Sequence, residues 1–111
     1  MTVTVKPLIP SRNAESSQTT QYTATNATAI IDKFTATNYS GGAVTLSINI
    51  VTAAGSASDT NLVVKLKSLA AGETYTFPEV VGHVLAASGF ISTIASAASS
   101  INIRCSGREI T

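Results

Sequence analysis

The stretch that decides the fold is residues 43–52, AVTLSINIVT. Val44, Leu46, Ile48 and Ile50 fall on one side of it, and Ala43, Thr45, Ser47 and Asn49 on the other. A repeat of two puts successive side chains on opposite faces of an extended chain, so the segment reads as a half-buried β-strand. Just upstream, ATAIIDKFTATN (residues 27–38) places Ile30, Phe34 and Ala36 on one face with Asp32 in the same register. Ile31, Lys33 and Thr35 take the other. NYSGG (residues 38–42) supplies turn chemistry, with Gly41 and Gly42 free to adopt positive φ, and predicts a hairpin between these two strands.

Downstream, AAGSASD (53–59) reads as a loop and NLVVKLKS (61–68) as a strand, with Leu62, Val64 and Leu66 inward and Lys65 and Lys67 outward. LAAGET (69–74) is a turn and YTF (75–77) a short strand. In PEVVGHVLAASG (78–89), Val80, Val81, Val84 and Leu85 have helical spacing behind Pro78, which predicts one short helical turn over 78–86. FISTIAS and INIRCSGREIT are the last strands, joined by small residues at 97–100. Seven or eight short strands with turn signals between them indicate an all-β chain, an antiparallel two-sheet β-sandwich. Its inward set is Ile30, Phe34, Val44, Leu46, Ile48, Ile50, Leu62, Val64, Leu66, Phe77, Ile94, Ile101 and Ile103.

Residues 1–21 read differently, as an extended N-terminal arm ahead of a sandwich domain at 22–111. Val3 and Val5 alternate with Thr2 and Thr4, but Pro7 and Pro10 then bracket Leu8 and Ile9, and proline donates no ladder hydrogen bond. SRNAESSQTTQ (11–21) is polar and without period. Such an arm orders against a partner or a second copy, which makes Val3, Val5, Leu8 and Ile9 the candidate protein-interface residues. The alternative is that the segment supplies one or two ordinary edge strands.

Composition narrows the function classes. In 111 residues there is room for one core. Charged residues are 12% of the chain, about half the usual share, and seven basic against six acidic side chains leave a formal charge of +1. That is no electrostatic footprint for nucleic acid. A surface wetted by Ser, Thr and Asn is weakly protected against association and suits faces that end up covered. No run approaches the roughly 18 apolar residues of a membrane span, and the start, MTVTVKPLIP, lacks the apolar region of a signal peptide. The single cysteine, Cys105, is in phase with Ile101 and Ile103 and reads as a buried small hydrophobe, consistent with folding in a reducing cytoplasm.

Reactive groups are sparse. His83 is the only histidine, and Glu79 alone lies near it, too little for a metal site. There is no G-x-S-x-G elbow, and one histidine would have to serve every hydrolytic role. A nucleophilic Cys105 would have to leave its core register. Asp32, Asp59, Glu15, Glu73, Glu79 and Glu109 are placed at turns and exposed ends, without the aromatic platforms of a carbohydrate site. GG at 41–42 lacks the spacing and the following helix of a phosphate loop. Asp32, pointing inward beside Ile30 and Phe34, reads as a structural charge: an edge-strand guard or a salt link to Arg104 or Arg108. The expectation is a binding protein with no enzymatic activity, no metal and no cofactor.

The succession TAIIDKFTATNYSGGAVTLSINIV, LAAGETYTFPEVVGHVLAASGFISTIAS and INIRCSGREI resembles small virion proteins of short-tailed double-stranded DNA bacteriophages, the capsid decoration, cement or staple proteins. The resemblance spans residues 22–111 and includes no catalytic signature. It implies a jelly-roll-like β-sandwich, made in the bacterial cytoplasm. Many copies would bind the outer surface of a capsid and hold neighbouring major capsid subunits together, pairing with one another as a dimer or small oligomer. Two other readings stand beside it. A head–tail connector or tail-associated part would share this composition and form rings. A carbohydrate-binding or adhesin-like module would want an aromatic platform, which Tyr22, Tyr39 and Tyr75 are too scattered to make.

Overall fold

The computed structural model describes residues 1–111. Nine strands run in order: β1 (Val3–Asn13), β2 (Thr19–Thr23), β3 (Thr28–Asn38), β4 (Val44–Val51), β5 (Leu62–Leu69), β6 (Thr74–Thr76), β7 (Val84–Leu85), β8 (Phe90–Ala95) and β9 (Ile101–Ile110). The first sheet has the order β1-β9-β3-β6, with β7 also pairing β3, and the second the order β2-β8-β4-β5. Every pairing is antiparallel. The all-β, two-sheet expectation is therefore what the chain adopts, while the connections differ. β3 and β4 lie in opposite sheets, so NYSGG carries a crossover and the predicted hairpin does not form. β8 and β9 are separated in the same way.

The crossover is organised by a buried side chain, with neither glycine at positive φ. Asn38 is fully buried; its Nδ2 donates to the Gly42 and Leu69 carbonyls at 2.8 Å, and its Oδ1 accepts from the Ser40 amide and hydroxyl. A carboxamide can satisfy a sharp turn and bind the next crossover at once, because it carries donors and acceptors together. The 78–86 segment forms two successive turns, Phe77 to Val80 and Val80 to His83, and no helix. Gly82 ends them at φ +87°, and its amide returns to the Ile31 carbonyl, so the turns are an excursion between β6 and β7 along β3 that still sends Val80 into the core.

The core lies between the sheets. Ile9, Ile31, Phe34, Ile101, Ile103 and Cys105 of the first sheet meet Val44, Leu46, Ile48, Leu69 and Ile91 of the second. Phe77 packs edge-on against Phe34, ring centroids 5.6 Å apart, and against Tyr75 at 4.7 Å. Bulges in β3 and β5, and the face taken by an unbroken β8, correct the predicted inward set. Between Ile31 and Lys33 the register of β3 against β9 slips, so Ile31 is buried and Ile30 faces outward. In β5 the slip between Val64 and Lys67 leaves Leu66 at φ +51° and 60% exposed. The same slip turns Lys67 inward, its Nζ 4.4 Å over the Tyr75 ring, with Leu69 in the core, and a second slip between Val64 and Leu62 lets the adjacent Val63 and Val64 both pack against it. In β8, Ile91 and Ala95 are buried, while Ile94 sits opposite Ser47 on the outer face. Each bulge puts two residues against one and reverses the alternation beyond it.

The N-terminal arm is also corrected. Residues 3–13 are the edge strand of the first sheet, paired along β9 from Val3 opposite Ile110 to Asn13 opposite Asn102. Bulges after Pro7 and after Ile9 let the adjacent Leu8 and Ile9 both turn inward, to 5% and 0% exposure. The prolines fit because an edge strand has only one neighbour to satisfy. The unpatterned polar stretch is a corner and a second edge strand: the Ala14 amide reaches the Ile101 carbonyl, the Ala95 amide reaches Glu15, and β2 then pairs β8. Gly107 fixes this junction. A Cβ there would lie 2.2 Å from the Ile30 carbonyl oxygen and 2.7 Å from a Leu8 methyl, so only glycine admits both β3 and β1 beside β9.

Candidate assembly surface

Of the four residues singled out as an interface, the fold keeps two available. Val3 and Val5 are 51% and 78% exposed, whereas Leu8 and Ile9 belong to the chain's own core. Directly opposite residues in an antiparallel pair share a face. Val3 therefore stands beside Ile110 and Thr28, and Val5 beside Arg108, Ile30 and Val84, on the outer face of the first sheet. Val84 is 56% exposed, and Ile30 and Ile110 are half-buried. This end of the sheet is an apolar surface around one ion pair. Arg108 donates to both Asp32 carboxylate oxygens, at 2.9 and 3.1 Å, which leaves little net charge on it. Asp32 is the residue the β3 bulge throws out, so it meets Arg108 on the outside and not in the core.

The inner side of the same end is polar. Glu109 accepts a short hydrogen bond from the Tyr22 hydroxyl and one from Lys6 Nζ at 3.4 Å, tying β1, β2 and β9 together. The Tyr22 bond, and after it Lys6, hold the Glu109 carboxyl below its ordinary range against a smaller opposing effect of burial. Burial first, then Glu109 itself, raises the Tyr22 phenol.

A shallow cleft of about 270 Å³ lies on the outer face of the second sheet. Its floor is a carboxamide network: Gln18 donates to Asn49 and Ser92, and Asn49 donates to Asn61 Oδ1 at 2.7 Å and to the Ser58 carbonyl at 2.9 Å. Ser58 also caps the 3₁₀ turn Asp59–Asn61. These groups satisfy one another and hold the β4–β5 loop over the sheet; the arrangement is structural. Sequence reasoning passed over Asn49 because a polar residue on the outer register reads as solvated. Only its clustering with Asn61 and Ser58 in the loop signalled a roof.

Residues weighed for chemistry stay apart. His83 lies in the excursion before β7, and no three His, Cys, Asp or Glu side chains converge. Cys105 is 1% exposed, and burial, then the charge of Asp32, pushes its thiol up to about 12. Such a thiol is a packing group and not a nucleophile.

No family model matches this chain, and no curated protein does. Among solved structures it is similar to a chain from Bacillus endospore appendages, described as a novel family of disulfide-linked pili. The TM-score is 0.50 at 15% identity, covering 99% of this chain and 88% of that one. The likeness is one of fold.

Proposed function

We propose that this chain is a non-catalytic structural protein of a phage virion, binding the outer surface of the capsid and cementing neighbouring major capsid subunits. The observation that carries the reading is the outer face of the first sheet, where Val3, Val5, Ile30, Val84 and Ile110 surround a self-neutralised Arg108–Asp32 pair. A patch of that kind on a surface poor in charge fits a face covered by protein in use. The strand order β1-β9-β3-β6 over β2-β8-β4-β5 fits the interleaving expected of a jelly roll, which supports the resemblance drawn from the sequence. Work done by covering and clamping needs no reactive group, metal or cofactor.

A second reading, a fibre subunit, is favoured by the pilus neighbour. That neighbour is described as disulfide-linked, whereas the lone, buried Cys105 here leaves non-covalent contacts as the means of joining copies. The test is to add purified protein to shells lacking it. Stoichiometric binding over the whole surface with raised heat resistance is the expected result. Copies confined to one vertex favour the connector, and filaments formed by the protein alone favour the fibre. Absence of shell binding overturns the cement role.

A further inference from the structure

The four strand edges of the sandwich are guarded unequally. β5 carries Lys65, an inward-turned Lys67 and a bulge at Leu66. The edge opposite β1 in the first sheet is broken into β6 and β7 by the 78–83 excursion. β2 is five residues long and bulged after Thr20. These are the usual devices against edge-to-edge pairing. β1 has neither a break nor a bulge before Pro7: its register along β9 is unbroken from Val3 to Pro7, and its one inward lysine, Lys6, is paired with Glu109.

The hydrogen-bond phase of this edge follows from one pair. Thr2 and Thr111 exchange both backbone hydrogen bonds, at 2.8 and 2.9 Å. In an antiparallel ladder such pairs alternate with unbonded ones. Thr4 and Lys6 therefore bond inward to β9, and the N–H and C=O groups of Val3 and Val5 point away from it. We infer that β1 pairs antiparallel with β1 of a second copy of this chain, about a twofold axis at Thr4. Val3 then exchanges both hydrogen bonds with the partner's Val5, and Val5 with the partner's Val3. Pro7, which has no N–H, closes the ladder. The four valines meet on one face, and the row Val84–Ile30–Arg108–Val5 continues through the partner's Val3 and its neighbouring strand. The pairing is self-complementary in hydrogen bonds, shape and charge, as an isologous contact requires.

The inference rests on the assembly reading and names how copies join within it. Some five residues a side fall short of the ~20–30 of a standard stable interface, so the free pair forms in the micromolar range or weaker, and fully at assembly concentration. Sedimentation across a concentration series tests it without any shell. The wild-type chain is expected to show a monomer–dimer equilibrium. Val5→Pro removes an outward N–H and no inward one, and is expected to weaken the dimer at least tenfold with an unchanged melting temperature. Thr4→Cys gives a second readout, since the axis sets the two cysteines at ~4.5 Å between Cα atoms, within disulfide reach. It is expected to cross-link under mild oxidation, whereas Thr20→Cys on the β2 edge stays monomeric. A wild type that is monomeric at millimolar concentration overturns the inference, as does equal cross-linking of the two cysteine variants. Shell binding by a chain that never dimerises sinks this inference and leaves the cement reading standing. Dimers that bind no shell do the reverse.

Discussion

β1 and β5 are both edge strands with apolar and cationic residues, and they have opposite dispositions toward a neighbour. β5 is kinked by Leu66 in the left-handed region and points Lys67 inward over Tyr75. A strand laid along it would meet a bent ladder and have to desolvate the Lys67 ammonium. β1 is smooth from Val3 to Pro7, with its lysine neutralised and its valines outside. The difference lies in where the bulges fall. In β5 the bulge guards the edge; in β1 both bulges follow Pro7, where they anchor Leu8 and Ile9 in the core. One strand is thus half anchor and half open edge.

The sharpest way to break this comparison is at its anchor. Gly107→Ala drives a Cβ against the Ile30 carbonyl and Leu8, and is expected to cost more than about 4 kcal/mol or abolish folding, read by chemical denaturation. Less drastic is the contrast within β1 itself. Ile9→Ala should cost about 2–5 kcal/mol, as a core truncation does, and Val5→Ala should stay within about 0.5 kcal/mol. Equal, small effects would return residues 1–21 to the status of an arm.

That contrast also shows what could be read in the sequence. The alternation in 43–52 fixed β4 and the all-β class, and Cys105 kept phase with Ile101 and Ile103 as read. β1 was legible only as the alternative reading, an edge strand, because alternation fails at Leu8-Ile9, and a bulge leaves no mark in a sequence except that failure. The same reason explains Ile30 for Ile31 and the outward Leu66: past a bulge, a period-two reading is right in spacing and wrong in face. The hairpin expected at NYSGG failed on information that is tertiary, since Asn38 reaches Leu69 thirty-one residues away. Of the candidate interface, Val3 and Val5 were legible as exposed apolar residues, but their neighbours Ile30, Val84 and Ile110 required the register.

Acidification probes the latch that holds the open half of β1. Glu109 has a depressed pKa in the folded chain, so its contribution is present above the ordinary carboxylate range and is lost as pH falls through the folded value. Thermal melts should show wild type losing stability more steeply below about pH 4 than Glu109→Gln; parallel profiles would remove the latch. Smallest of all is the outer ion pair: Asp32→Asn should shift stability by under about 1 kcal/mol, because both partners are over 40% exposed.

The central claim is that residues 3–7 are a folded edge strand with one side bonded and the other waiting. Residue-resolved amide hydrogen exchange tests it most directly. In dilute protein, Thr4 and Lys6 are expected to be protected while Val3 and Val5 exchange freely, and all four to be protected at high concentration or in the assembly. Free exchange of Thr4 and Lys6 in the dilute chain, or no change at Val3 and Val5 on assembly, would contradict it.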